Sequence, residues 1–300
     1  MRRAWLPAVG ICSREPGLPP ADAEEERDDL TMVHVVYGSD ATNFPGLLPS
    51  MLSLHAHLQD PGNCTIHLIV PRGDVPAAEE LVECFRSELP EGPGRPRVLL
   101  RAMRPLAFET AGFRTDTGTT SPLAFSKFTM HRHETLLDAP RAIWLDTDTI
   151  VQADVGRLYR TRMQHAVAVT LDFPHKTFAF YSGALPGAAA RRVVDWSART
   201  FTTGTLLYDL RRWRERDFAG ELANLSQLLS GYDGDQLPMN LLFQGGFDHL
   251  DGRWNICLGT LDYFAWMRCQ KDAWVLHLTG TVKYWHGAWP LEVHPFVFRE

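Results

Sequence analysis

Two carboxylates two residues apart, Asp146 and Asp148, follow the apolar run Ala142-Ile143-Trp144-Leu145 and precede Ile150-Val151. Residues two apart in an extended chain project to the same side, so both carboxylates reach one cation if the strand end stays extended. Hard oxygen donors suit magnesium or manganese, which bridge phosphate oxygens of a bound nucleotide and neutralise the charge that grows on a leaving diphosphate. A bland reading makes one aspartate a turn cap and leaves the other exposed. The apolar strand before the pair and the Ile-Val step after it favour the site.

Other chemistry-bearing residues are less telling by themselves. His277 is a core histidine on an apolar strand. Asp40 and Asn43 extend a turn begun by Gly38-Ser39, Asp235 is a good helix N-cap, and Lys127 is a solvated helix residue. His131 and His133, two apart on a helix, point to different sides and share no metal. Arg211, Arg212, Arg214 and Arg216, interleaved with Glu215 and beside Asp217, form a solvated face.

The elements that must position these residues alternate. A strand at Met32–Tyr37 leads through Gly38-Ser39-Asp40 into a helix over Pro45–Leu58; a strand at Ile66–Val70 leads into a helix over Ala77–Leu89; a third strand covers Val98–Leu100. Such alternation implies an α/β fold with parallel pairing. A helix over Leu123–Leu137 feeds the strand at Ala142–Leu145. Strands at Ala166–Leu171, Thr205–Tyr208 and Trp274–Leu278 follow, with an irregular excursion over 172–200 and helices over 217–230 and 234–243. Ligands of open α/β sheets gather at the carboxyl ends of strands, which is where Asp146 and Asp148 stand. Residues 1–30, Pro-rich with an acidic run at Glu24–Asp29, predict a flexible tail before one domain over 31–300.

Further segments turn the acidic triplet into a specific pattern. FSKFTMHRHETLLDAPRAIWLDTDTIV, FTTGTLLYDLRRW, GDQLPMN and the closing HLTGTVKYW occur in that order after Gly38-Ser39-Asp40, and together they resemble family 8 of the retaining glycosyltransferases over roughly residues 31–288. The resemblance implies a GT-A fold, a Rossmann-like mixed sheet flanked by helices. It implies a hexosyltransferase that takes a UDP-sugar donor and needs manganese, or magnesium, held by Asp146, Asp148 and His277. Lys127, Gly280 and Lys283 would line the diphosphate, Asp40 and Asn43 the base, and Gly38 and Ser39 the ribose, with Thr147 also among the residues that bind the nucleotide-sugar. Gly204 would let backbone approach the donor sugar, and Thr202 stands where the family usually has asparagine. Asp235 and Gln236 would flank the transferred sugar, with Gln236 near the anomeric centre and no general base assigned. Trp285 would wall the site, and Asp251, Arg253 and Asn255 fall in a stretch near the acceptor side.

The chain has 300 residues, 45% hydrophobic and 22% charged, which suits a globular protein. Its formal net charge of −6 gives no basic field for a phosphate backbone, so nucleic acid is an unexpected partner. No apolar run reaches the ~20 residues that span a bilayer. The five cysteines show no zinc-ligand spacing. Carbohydrate, glycoprotein and glycolipid acceptors stay open, as do a Golgi or secretory and a cytoplasmic location. Two rival readings fit parts of the pattern: a phosphohydrolase of the haloacid dehalogenase type, in which Asp146 of LDTDT would be a nucleophile, and a sugar-nucleotide binding protein without catalysis.

Overall fold

The computed structural model describes residues 28–92, 94–106, 114–115, 118–119, 121–172, 176–183, 185–229, 234–257, 271–279, 283 and 285. The tail expected over 1–30 lies outside the described residues up to position 27; Asp28–Leu30 form a single 3-10 turn with Leu30 buried.

Strands and helices follow in the order β1 (Val33–Gly38), α1 (Phe44–His57), β2 (Cys64–Val70), α2 (Val75–Glu88), β3 (Arg97–Ala102) and a small hairpin of β4 (Arg114–Thr115) and β5 (Gly118–Thr119). Then come α3 (Ser126–Thr129), β6 (Arg141–Leu145), β7 (Thr149–Val151), α4 (Val155–Tyr159), β8 (Val167–Leu171) and α5 (Gly187–Ala190). The remainder is β9 (Phe201–Asp209), α6 (Leu210–Glu215), α7 (Phe218–Leu228), α8 (Gln236–Phe243), β10 (Asp248–His249), β11 (Ile256–Cys257) and β12 (Val275–His277).

Seven strands form one sheet in the order β10-β8-β9-β6-β1-β2-β3. The pairs β6-β1, β1-β2 and β2-β3 are parallel, whereas β9 runs antiparallel to both β6 and β8. The sheet is therefore mixed. Alternate residues of each strand serve opposite faces: Val35, Tyr37, Ile143 and Leu145 join a core with Leu47 and Met51 of α1 and Phe85 of α2, while Val36, Ala142 and Trp144 join Phe128, Trp213, Met239 and Phe243. Covering both faces explains why β2 and β9 read as continuously buried runs. In α1, Leu47, Met51 and Leu54 recur at helical spacing on the inner face, and Pro45 sits at the first turn, where its missing N–H costs nothing.

A second sheet, β11-β12-β7, closes the chain back onto the middle of the fold. Its antiparallel β12-β7 ladder sets His277 opposite Thr149, one residue beyond Asp148.

One predicted helix is not continuous. Over 123–137 the chain makes 3-10 turns at Pro122–Phe125, Met130–Arg132 and Glu134–Leu136 around the single turn of α3, and His133 is extended at φ −71°, ψ 134°. Leu123, Phe125, Lys127, Phe128, Met130, His133 and Leu136 are all buried. Those positions point all round a regular helix, so burial overrides local propensity and breaks the segment.

Far from the acidic rim, His34 of β1 and His67 of β2 meet, Nδ1 to Nε2, at 3.0 Å, and Thr135 Oγ1 lies 3.1 Å from His67 Nδ1. Burial pushes His34 down to about 4 and His67 down to about 3, the latter helped by His34, Arg101, His133 and Arg97. Both rings are neutral in the folded protein, whereas the unfolded chain protonates them near 6.5. The fold is thus fully supported above that value and loses stability as pH falls from 6.5 towards 4. The urea midpoint should drop between pH 7 and pH 5 by the equivalent of roughly 1 to 2 kcal/mol per ring, and His67→Gln should flatten that slope.

Candidate active site

Asp146 sits where β6 ends, its N–H donating to the Gly204 carbonyl of β9 at 2.8 Å. Its carboxylate is half-buried and oriented: Trp144 Nε1 donates to Oδ1 at 2.7 Å, and Lys127 Nζ lies 3.1 Å from the same oxygen. Asp148, two residues on, is buried. Its Oδ1 stands 3.2 Å from His277 Nε2, its Oδ2 pairs with Lys283, and its carbonyl accepts the Leu278 N–H at 2.8 Å. His277 Nε2 is also 3.6 Å from Asp146 Oδ2. The short loop between β6 and β7 and the β12-β7 ladder thus bring together residues more than a hundred positions apart.

Charge sets the protonation of this cluster. Burial alone would raise the Asp148 carboxyl, but His277 and Lys283 outweigh it and hold it well below the usual carboxylate range. Burial likewise opposes a charged His277, yet Asp148 keeps the imidazole well above its ordinary value. Lys127 is fully buried, which disfavours its charge; Asp146 and Asp235 more than offset that and keep it an ammonium.

The donor set fits a divalent cation. One ligand atom each from Asp146, Asp148 and His277 lie within 4.8 Å of one another. An octahedral ion with bonds of ~2.1 Å places neighbouring ligands about 3 Å apart, and His277 Nε2 lies 3.2 Å and 3.6 Å from the carboxylate oxygens of Asp148 and Asp146. Two carboxylate oxygens with one imidazole nitrogen is a set that manganese accepts.

Around this centre the structure places the remaining sequence-predicted residues differently from one another. Lys127 is no solvated helix residue: besides Asp146 it reaches Asp235 Oδ2 at 2.6 Å, and it lies over the Trp144 ring. Asp235 stands at the N-cap of α8, but its side chain makes no cap hydrogen bond, because Lys127 takes the carboxylate. Gln236 Nε2 donates to Asp172 Oδ2 at 3.1 Å and reaches Tyr181 OH at 3.3 Å. Asp40 accepts from Thr42 N–H, Asn43 Nδ2 and Ser121 Oγ, so that turn is organised by its own side chains. Ser39 is buried and donates its N–H to Ile69 O at 2.9 Å. Thr147 is half-buried in the turn between the aspartates. Gly280 lies outside the described residues.

Two glycines earn their place through rings. A Cβ on Gly204 would lie 2.1 Å from His277 Cε1, and one on Gly38 would lie 2.7 Å from the Trp144 ring. Gly204 is the clearance for His277, and Gly38 is the clearance for the indole that orients Asp146. Trp285 packs in the same way on Gly46 of α1. Thr202 Oγ1 sits 3.5 Å from Asn255 Nδ2. The basic stretch is paired within the protein: Arg211 with Asp29, Arg212 with Asp209 and Arg216 with Glu221, while Arg214 donates to backbone at Leu136 and Ala139.

Residues that the sequence reading passed over are Trp144, Asp172, Lys176 and Tyr181. Asp172 had a signal: it directly follows an apolar strand, as Asp146 does, and it is buried and paired with Lys176 at 3.4 Å. Tyr181 and Lys176 lie in the irregular excursion, where no period marks an inward side chain.

A family model described as glycosyl transferase family 8 matches residues 106–288. The probable galacturonosyltransferase-like 9 of Arabidopsis thaliana is 28% identical over 252 residues, which is 76% of this chain and 59% of that protein. Glycosyltransferase GlyF of Streptococcus pneumoniae is 23% identical over 157 residues, 50% of this chain and 35% of GlyF. The matched region spans 59% of the first of these relatives and 35% of the second, less than two thirds of either. Among solved structures, the galactosyltransferase LgtC in complex with donor and acceptor sugar analogs superposes with a TM-score of 0.63 at 19% identity, covering 87% of this chain and 93% of LgtC. That likeness shows a shared GT-A fold.

The Gly204 clearance is testable. Gly204→Ala should lower the unfolding midpoint by the equivalent of ~1–3 kcal/mol through overpacking against His277. In the double variant with His277→Ala the loss should fall well short of the sum of the two singles; simple additivity would mean that the methyl group is accommodated elsewhere.

Proposed function

Since the chain belongs to glycosyltransferase family 8, we propose that it is a retaining hexosyltransferase that moves a sugar from a UDP-sugar donor to a carbohydrate, glycoprotein or glycolipid acceptor, with manganese at Asp146, Asp148 and His277. The observation that carries this reading is the convergence of two carboxylates and one imidazole on a common centre. The haloacid dehalogenase alternative would leave His277 and Lys283 without a task, and the family match stands against it.

When bound, the divalent ion supplies Lewis-acid stabilisation of the charge that develops on the departing diphosphate. The protein's own residues divide the other tasks. Lys283, already drawn in by Asp148, offers a compact cation to a phosphate oxygen. Lys127, between Asp146 and Asp235, adds a buried positive charge, and fixed charges of this kind act strongly in a site that excludes water. Gln236, held by Asp172 and Tyr181, is assigned to the anomeric centre of the donor. Asp40, Asn43 and the Gly38-Ser39 backbone are assigned to the nucleoside, and Thr147, Gly204 and Gly280 to the diphosphate and sugar. Thr202 in place of an amide makes the donor hexose the open choice.

A thermal-shift screen tests the reading. UDP and UDP-sugars with manganese should stabilise the protein, by about 2.7 kcal/mol at a hundredfold excess over Kd, and Asp148→Ala should lose the manganese-dependent part. Equal stabilisation by GDP-sugars, or a shift that ignores manganese, would sink the donor assignment. In product analysis, UDP-sugar hydrolysis in the absence of acceptor and glycoside formation in its presence are expected; tight binding with neither activity would leave a sugar-nucleotide binding protein.

A further inference from the structure

Asn255 holds the far side of the His277 ring. Its Oδ1 lies 3.0 Å from His277 Nδ1, and both side chains are buried. An amide oxygen carries only lone pairs, so it accepts the proton of Nδ1. A neutral ring with Nδ1–H then bears its lone pair on Nε2. Nε2 is the atom that stands 3.2 Å from Asp148 Oδ1 and 3.6 Å from Asp146 Oδ2. With the opposite tautomer, an N–H would point at the carboxylates and no lone pair would face the cation.

Asn255 is itself firmly placed. It ends the 3-10 turn Gly252–Asn255, which Asp251 caps by accepting the Arg253 N–H at 2.9 Å. The Asp251 carboxylate also pairs with the Arg253 guanidinium at 2.8 Å, and that group lies 3.8 Å over the Trp274 ring. Trp274 N–H returns to Arg253 O at 2.8 Å, just before β12 begins. The strand that follows Asn255 pairs in parallel with the one carrying the ring, Ile256 with Leu276 and Cys257 with His277. The amide nitrogen of Asn255 faces Thr202 Oγ1, which orients the oxygen towards the histidine. On its other side the ring is walled by Gly204.

We propose that Asn255 is a positioning residue that fixes the Nδ1–H tautomer and orientation of His277, so that Nε2 is the metal-ligating atom. The proposal rests on the metal-binding reading above and adds to it a specific partner outside the ligand set. Removing such a partner of a ligating histidine weakens metal binding by about 10- to 100-fold.

The test uses manganese alone as the probe, titrated calorimetrically into the full chain. Asn255→Leu, which fills the space without an acceptor, should weaken manganese binding about 10- to 100-fold. Asn255→Asp, which still accepts from Nδ1, should bind within about tenfold of the parent. In transfer assays Asn255→Leu should raise the manganese concentration needed for half-maximal rate, and Asn255→Asp should restore it towards the parent value. Parent-like manganese affinity in Asn255→Leu overturns the proposal while leaving the metal site standing. A parent that binds no manganese overturns the metal reading and this proposal together. Should Asn255→Leu fail to fold, two-bond proton–nitrogen correlation spectra of the zinc-loaded parent, assigned with His277→Gln, decide: a proton on Nδ1 supports the proposal, and a proton on Nε2 overturns it.

Discussion

The constraint on which the rest of the structure depends is the placement of two carboxylates, Asp146 and Asp148, at the rim of a sheet whose interior excludes water. Taken from water without partners, such charges are costly. Every neighbour that meets them answers that cost: Lys127 and the Trp144 indole for Asp146, His277 and Lys283 for Asp148. The partners come from three separate parts of the chain, around Lys127, at Trp144 and over 277–283. The electrostatic need of the pair thus ties the first half of the protein to its closing segment.

Lys127 extends that logic beyond the pair. Its ammonium lies between Asp146 and Asp235, so the carboxylate at the end of β6 and the start of α8 are joined through one buried cation. Gln236, next in sequence to Asp235, is then anchored by Asp172 and Tyr181. The Asp146-Asp148-His277 cluster and the residues proposed to flank the transferred sugar are in this way parts of one connected network, in which each side chain has its rotamer fixed by a partner. Preorganisation of this sort lets charged groups act on a transition state without being reordered during reaction.

Absence of side chain matters as much as presence. His277 approaches the two aspartates only because Gly204 on β9 leaves room for its ring, and Trp144 reaches Asp146 only because Gly38 at the end of β1 leaves room for the indole. The sequence reading gave both glycines to the ligand. Their first task in the folded chain is to seat the rings of His277 and Trp144 against the acidic pair, and a role towards a donor is compatible with it.

By itself the sequence determined the α/β alternation, the inward strands and the family pattern, because burial on two sheet faces imposes runs of apolar residues and because LDTDT, GDQLPMN and HLTGTVKYW are dense in chemistry-bearing residues at fixed spacing. It carried the acidic pair as well, since both members lie on one strand terminus and need no long-range information. Tertiary structure alone decided the rest. The helix expected over 123–137 broke into turns because residues on all its sides are buried; Asp235 gave its carboxylate to Lys127 instead of capping α8; and Asp172, Tyr181 and Asn255 took positions around the site. Those outcomes depend on which distant side chains meet, and the register of β12 on β7, the crossing of β9 between β6 and β8, and the competition of partners for each buried charge are settled only when the whole chain has packed.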